Sequence, residues 1–305
     1  MLLRLKRKYQ PFWQLYLFLL LPLAYIILFA YVPMAGIQLA FKKFTILGGV
    51  WGSPWVGMAQ FEKFIRSYYF NRVISNTLRL SIYSIIAGFP FPIVFALLLN
   101  TVTHMRFKKT VQTITYMPHF ISVTVIVGII MQVFHPSKGI YGIVMAAFNK
   151  KAVDLLASPG AFPHMYIWSG IWQGFGWGSI IYLAALTSVS PELHEAAAVD
   201  GASRLQRILH IDIPALVPTV AILLILRLGQ IMNTGFEKIF LMQNDLNLRV
   251  SEVISTYVYK QGLGSGASSD YSYATAIGLF NSVINLLLIS GVNFLARRCG
   301  EISLW

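Results

Sequence analysis

The chain has 305 residues, of which 56% are hydrophobic and only 11% charged, and its mean hydropathy is +0.65. Soluble domains carry about 25% charged and 45–50% apolar residues, so an ordinary soluble enzyme and a disordered chain are both excluded, and the composition fits a polytopic membrane protein folded as one domain over residues 1–305. A net charge of +13 would suit nucleic-acid binding in a soluble protein, but here the basic residues lie mostly between apolar runs, where they orient spans and meet anionic lipid, so no nucleic-acid partner is expected.

A single cysteine, Cys299, excludes an intramolecular disulfide and a Cys-rich zinc site, and the six histidines show no HExxH spacing. No metal or cofactor is expected on this chain. A helix crossing the hydrocarbon core needs about 20 mainly apolar residues. Six runs meet or approach that length: residues 12–32, 78–99, 113–134, 165–186, 216–232 and 274–296. The expected fold is all-α, with six transmembrane helices and no trace of the alternation that marks an outer-membrane barrel.

Arg4, Lys6, Arg7 and Lys8 precede the first run. The run is longer than a signal-peptide core and no small-x-small cleavage site follows, so it reads as a retained span with its N-terminus in the cytoplasm. Alternation then places 101–112, 187–215 and the C-terminus inside, with Arg106, Lys108, Lys109, Arg204, Arg207, Arg297 and Arg298. The outside segments, 33–77, 135–164 and 233–273, are longer and also carry cations (Lys42, Lys43, Lys63, Arg66), so the bias is one of density.

Segment 33–77 contains Trp51, Trp55, Phe61, Phe64, Tyr68, Tyr69 and Phe70 and is expected to be ordered and partly buried. In the second run, Pro90 and Pro92 each remove an amide donor, which predicts a kink or a short unwound piece. That piece is either a packing kink or a border of a pathway. Arg79, near the outer end of this run, is placed for snorkelling. In the fourth run Trp168, Trp172 and Phe175 fall at i, i+4 and i+7 on one helical face. Such rings can stack on sugar C–H faces or form an interfacial belt. Arg227 lies near the middle of the fifth run, where a charge faces protein or water rather than lipid. It pairs structurally, snorkels, or lines the substrate path; together with Arg79 in a cavity it would suit an acidic sugar such as a uronate oligomer. Segment 233–273 holds the flexible stretch Gly262-Leu263-Gly264-Ser265-Gly266. Asn281 and Asn285 share a face of the sixth run and serve either substrate or, more commonly, interhelical hydrogen bonds. His119, His135 and His164 lie near span ends and read as structural.

Residues 190–214 are the most informative. Ser190 is a good N-cap and Pro191 a good first helical residue. Glu192 and Glu195 favour the positive helix end, Ala196, Ala197 and Ala198 favour helix, and Gly201 can turn the chain. A second short helix through 204–210, ended by Pro214, would complete a helix–turn–helix. Its small alanines let another surface approach, with Glu195, Asp200, Arg204 and Arg207 as charged partners. An amphipathic loop lying on the membrane is the plainer reading.

The spacing Glu195-Ala196-Ala197, Gly201, Ile211 and Ile213-Pro214 resembles the signature loop of binding-protein-dependent ABC importer permeases: Glu-Ala-Ala, three residues, Gly, nine residues, Ile, one residue, Leu, Pro. Only the leucine differs, replaced by isoleucine. Residues 112–122 (QTITYMPHFIS), 170–177 (GIWQGFGW) and the last forty residues extend the likeness over nearly the whole chain, to the oligosaccharide and polysaccharide-fragment branch of the maltose-type importers. The resemblance implies the type I permease fold, six spans with cytoplasmic ends, and a bacterial inner (plasma) membrane location. It also implies a second, homologous permease, two cytoplasmic ATPase subunits that carry the ATP and Mg, and an extracellular solute-binding protein. The loop would form the coupling helices, with Glu195, Ala196, Ala197, Asp200, Gly201, Ile211 and Pro214 at the ATPase. No GxxxxGK[ST] phosphate loop occurs in this chain, so the chain is not expected to be an enzyme itself. The rival readings are a secondary transporter or channel working without an ATPase, against which the loop argues, and a membrane-embedded enzyme, for which no nucleophile or metal motif is found.

Overall fold

The computed structural model describes residues 13–264 and 269–300. The basic cluster Arg4 to Lys8, residue 12, Ser265 and Gly266, and the side chain of Cys299 lie outside the described residues. Among the described residues all regular structure is helical apart from one isolated antiparallel bridge, Lys42 to Trp55.

Helix α1, Trp13–Phe41, covers the first run. It widens to a π-turn at Ile27–Tyr31 and tightens to a 3-10 turn at Ala35–Phe41. The π-turn ends two residues before Pro33, whose ring would otherwise strike the carbonyl four residues back. Helix α2, Tyr69–Asn100, begins nine residues before the run counted from position 78 and so takes up Tyr69 and Phe70. The prolines do not unwind it. Phe89 keeps helical angles (φ −66°, ψ −38°), and its amide still donates to the Ile85 carbonyl at 2.9 Å.

The third run is not one straight helix. Helices α3, Met105–Phe120, and α4, Val123–Val133, meet at 98°. Pro118 sits in a 3-10 turn, Ile121 is extended, and the Ser122 hydroxyl caps α4 by accepting the Val125 amide at 3.3 Å. An apolar count passes over this break because the flanking residues stay apolar.

Helix α5, Phe162–Leu186, has 25 residues. At 1.5 Å per residue this is about 37 Å, enough to cross a bilayer. It is less apolar than the four helices that qualify as spans by length and composition, which are α1, α2, α7 and α9. Its glycines and serines suit a helix that faces other helices. Gly176 is the tightest case: a Cβ there would stand 2.2 Å from the Thr115 carbonyl oxygen of α3.

Helix α6, Pro191–Val199, and helix α7, Arg204–Gly229, hold the signature loop. Here the expectation of a second short helix ended by Pro214 is corrected. A π-turn at Ile208–Asp212 absorbs that proline, and the helix runs on into the fifth run. Helix α8, Phe236–Met242, follows, and α9, Tyr271–Gly300, ends the described chain.

The chain divides into two compact units. One holds the residues up to Arg66 together with Tyr259–Leu279. In it Lys42 is buried and donates to Gln38 Oε1 (2.7 Å) and to the Val50 and Trp51 carbonyls (3.0 Å each). Phe61 and Phe64 are buried while Trp51 and Trp55 are exposed, so the aromatic segment is ordered and only partly buried. No residue from Trp13 to Met34 is buried. The other unit, Ser67–Val258 with Phe280–Trp305, is centred on α5, which packs against α2, α3 and α7. Leu80, Ile126, Ile130, Phe162, Ile167 and Ile239 form one apolar cluster near the N-terminal end of α5. Ala96, Leu97, Tyr182, Leu186 and Leu216 form another near its C-terminal end. A polar space lies along α5 between these clusters.

Candidate functional site

The loop folds as its local chemistry dictates. The Ser190 hydroxyl accepts the Glu192 amide at 3.3 Å, with Pro191 at the first helical position. Gly201 adopts φ +80°, which an L side chain resists, and thereby reverses the chain. Ser203 and Gln206 form a reciprocal capping box at the start of α7. Glu195, Ala196, Ala198, Val199, Asp200 and Gly201 are exposed, Val199 to 88%. Ala197 and Ile211 are half-buried, and Pro214 is exposed. The result is a rigid knuckle carrying small and apolar side chains outward.

The anchor of this knuckle is absent from the motif. Asp212 is buried, with 2% of its surface exposed. Its Oδ1 lies 3.3 Å from His194 Nε2 of α6 and accepts from Asn100 Nδ2 of α2 at 3.3 Å. One carboxylate thus joins the loop helix to the ends of two long helices. Behind it lies a cavity of about 580 Å³ that Glu195, Arg204 and Arg207 also line. The sequence signal was available: Asp212 is an acid inside an otherwise apolar stretch, and such groups are retained when paired.

The second constellation lies against α5. A cavity of about 230 Å³ is lined by Gln173, Gly174 and Phe175 of α5, Ser84 and Gly88 of α2, Arg227 of α7 and Lys238 of α8. Two adjoining cavities, of about 150 and 300 Å³, share Arg227. Lys238 is 8% exposed, and its ammonium has no hydrogen-bond partner among the described residues. It lies 5.5 Å from the centre of the Tyr166 ring. Burial pushes its pKa down to about 8. Gly170 of α5 lies beside it: a Cβ there would stand 3.5 Å from Nζ, an ordinary contact. Arg227 makes no salt bridge among the described residues. The segment Gly88 to Pro92 therefore borders a cavity and is not only a packing feature.

Of the aromatic face, Phe175 reaches this cavity, packed edge-on against Phe95 at 5.1 Å. Trp168 and Trp172 are not among its lining residues and are 47% and 48% exposed. Their stripe lies roughly a third of a turn from the lining stripe Ile167, Gly170, Ile171, Gly174, Gly178. Trp168 instead donates to the Tyr83 hydroxyl at 3.1 Å. Arg79 is exposed and also outside the lining, half a turn away from Gly88 on α2; Lys238 supplies the second cation. Asn281 and Asn285 both donate to Asn233 Oδ1, at 3.0 and 3.1 Å, which ties α9 to the connection between α7 and α8. The histidines hold local structure: His164 Nδ1 pairs with the Tyr83 hydroxyl at 2.8 Å, His119 stacks on Trp177, and His135 Nδ1 accepts the Lys138 amide. Among the described residues no three His, Cys, Asp or Glu side chains converge as a metal site.

Comparison with known proteins places this architecture. Protein LplB of Bacillus subtilis (strain 168) is 40% identical over 291 residues, spanning 95% of this chain and 91% of that protein. The polygalacturonan/rhamnogalacturonan transport system permease protein YteP of the same organism is 40% identical over 287 residues, spanning 94% and 88%. The crystal structure of a bacterial alginate ABC transporter, in complex with an alginate pentasaccharide-bound periplasmic protein, contains a chain that superposes with a TM-score of 0.88. That chain is 39% identical, with 99% of this chain and 100% of that chain covered. Residues 88–300 match the family described as binding-protein-dependent transport system inner membrane component. The chain belongs to that family, the multi-pass membrane permeases of ABC importers.

Proposed function

We propose that this chain is one of two homologous permease subunits of an importer for oligosaccharides released from polysaccharides. Its partners are a second, different permease, two cytoplasmic ATPase subunits that carry ATP and Mg, and an extracellular solute-binding protein. Six spans, α1, α2, the bent pair α3–α4, α5, α7 and α9, cross the membrane with both ends cytoplasmic. The loop of residues 190–214 docks in a groove on the ATPase, with Glu195, Ala196, Ala197, Asp200 and Gly201 at the contact and Ile211 and Pro214 at its junction with α7.

The observation that carries this reading is the exposed knuckle around Gly201, tied through Asp212 to the ends of α2 and α7. Closure of the ATPase pair would move α6, and the buried carboxylate would pass that movement to two long helices. Such a transition needs an element with two arrangements whose populations nucleotide and loaded binding protein bias. The sugar relatives, one a polygalacturonan/rhamnogalacturonan permease and one chain from an alginate importer, support an oligosaccharide as cargo. The test is affinity purification from native membranes followed by uptake measurements in proteoliposomes. Recovery of an ATPase and a second permease, with ATP-dependent oligosaccharide uptake, is the expected outcome. A transport-competent preparation lacking both would overturn it.

A further inference from the structure

Resting on the importer reading above, we infer that the cavity along α5 is a carboxylate subsite in which Lys238 and Arg227 together hold the acid group of a uronate unit. The importer would then discriminate anionic from neutral sugar chains inside the permease itself.

The charge inventory carries this. Arg227 and Lys238 both line the cavity, and none of its lining residues is acidic. The two adjoining cavities that share Arg227 have no acidic lining residue either. The nearest carboxylate in sequence, Glu237, is turned to the Thr124 hydroxyl, which donates to it at 3.3 Å. An ammonium in a residue more than nine-tenths buried is costly when no hydrogen-bond acceptor compensates it. A structural lysine in this chain looks different: Lys42, also buried, is satisfied by three acceptors at 2.7 to 3.0 Å. Burial has stripped Lys238 of water, and no acceptor among the described residues meets its ammonium. A partner bearing a carboxylate would supply one.

The geometry fits a sugar acid rather than a bare anion. A carboxylate has two oxygens and can take a guanidinium fork on one side and an ammonium on the other. Gln173 and Ser84 add neutral polar groups, and Phe175 and Phe89 add aromatic rings of the kind that pack on sugar C–H bonds. Because Lys238 is already dehydrated, binding does not repeat that cost, which is preorganisation in the ordinary sense. Lys238 sits on α8 and Arg227 on α7, which ends at Gly229. A shift between those two elements would separate the cations and release the acid.

The experiment uses the complete transporter in proteoliposomes with a panel of uronate trisaccharides and their neutral methyl esters as probes. Lys238→Met is expected to lower ATP-dependent uptake of the acids at least tenfold while changing ester uptake less than twofold, and Arg227→Met to do the same. Lys238→Arg should retain at least a third of acid uptake. Copurification with the ATPase checks that the variants assemble. Equal losses on acid and ester, no loss on the acid, or Lys238→Arg as poor as Lys238→Met would each overturn the subsite while leaving the importer intact. If wild type carries no ester, the Arg and Met variants at position 238 decide on the acid alone. If it imports only neutral chains, the subsite falls. A wild-type complex without ATP-dependent uptake of any oligosaccharide would remove the importer reading and this one with it.

Discussion

Gly201 stands at φ +80° with nothing within 4 Å of where a Cβ would lie. Space is therefore not what excludes other residues; the backbone conformation is. An L residue pays roughly 1–2 kcal/mol in the left-handed region, less for Asn and most for β-branched residues. Gly201→Asn is expected to keep most ATPase stimulation by loaded binding protein, and Gly201→Val to lose it, with membrane insertion normal in both. Gly201→Asp tolerates the turn but adds a carboxylate beside Asp200, and uncoupling of ATP hydrolysis from uptake is the expected result. Normal uptake by the Val variant at normal expression would remove the knuckle from the coupling path. Lys238 allows a test of another kind. Its folded pKa of about 8 lies below the ordinary 10.5, so between those values the unfolded chain binds more protons than the folded one. Stability must then rise with pH across that window, and the contribution is missing below it. Lys238→Met abolishes this one proton difference. Thermal unfolding in detergent should show the variant more stable than wild type near pH 7, with the gap narrowing as pH climbs towards 10. A gap independent of pH would mean that the amine is solvated. Arg227 was legible from the sequence because a cation inside an apolar run is conspicuous. Lys238 was not, because it lies in segment 233–273, outside every apolar run, and only folding brings α8 against α5.

At the level of elements, prolines explain most departures from simple helix counting. Pro33 and Pro214 are each preceded by a π-turn that ends two residues earlier, at Tyr31 and Asp212. Both helices continue through the turn, which is why Pro214 does not stop α7. Pro118 acts differently, because extended Ile121 and the Ser122 cap follow it and the chain turns by 98°. Hydropathy cannot separate these outcomes, since all three sites are flanked by apolar residues. Asp212 shows a related limit: the motif marks Ile211 and Pro214 on either side, yet the buried link to His194 and Asn100 depends on residues 18 and 112 positions away. Helix α5 can be tested through its small residues. Gly176→Ala would place a methyl group 2.2 Å from the Thr115 carbonyl oxygen, a backbone atom that yields only if α3 moves. A loss of about 1–3 kcal/mol is expected from such overpacking, measured as a lower unfolding midpoint of the purified protein. Gly174→Ala, which meets nothing within 4 Å, is its neutral control. Equal stability of the two variants would mean that α3 and α5 are not packed this closely.

For the whole molecule the decisive variable is sidedness. The proposed topology places the knuckle in the cytoplasm, and Ala198→Cys in a Cys299→Ser background tests it. A membrane-impermeant maleimide should label that cysteine in inside-out vesicles and not on intact cells; labelling on intact cells would reverse the topology and detach the loop from any cytoplasmic ATPase. Composition and the apolar runs already indicated a helical membrane protein, because hydrophobic length is a property of neighbouring residues, and the spacing from Glu195 to Pro214 carried the resemblance to importer permeases. Which side chains share a space was settled only by the tertiary structure. It put Phe175 in the cavity and left Trp168 and Trp172 outside, replaced Arg79 with Lys238 as the second cation, and buried Asp212 between three helices. Those outcomes depend on the rotation and crossing of helices far apart in the chain, which no local pattern encodes.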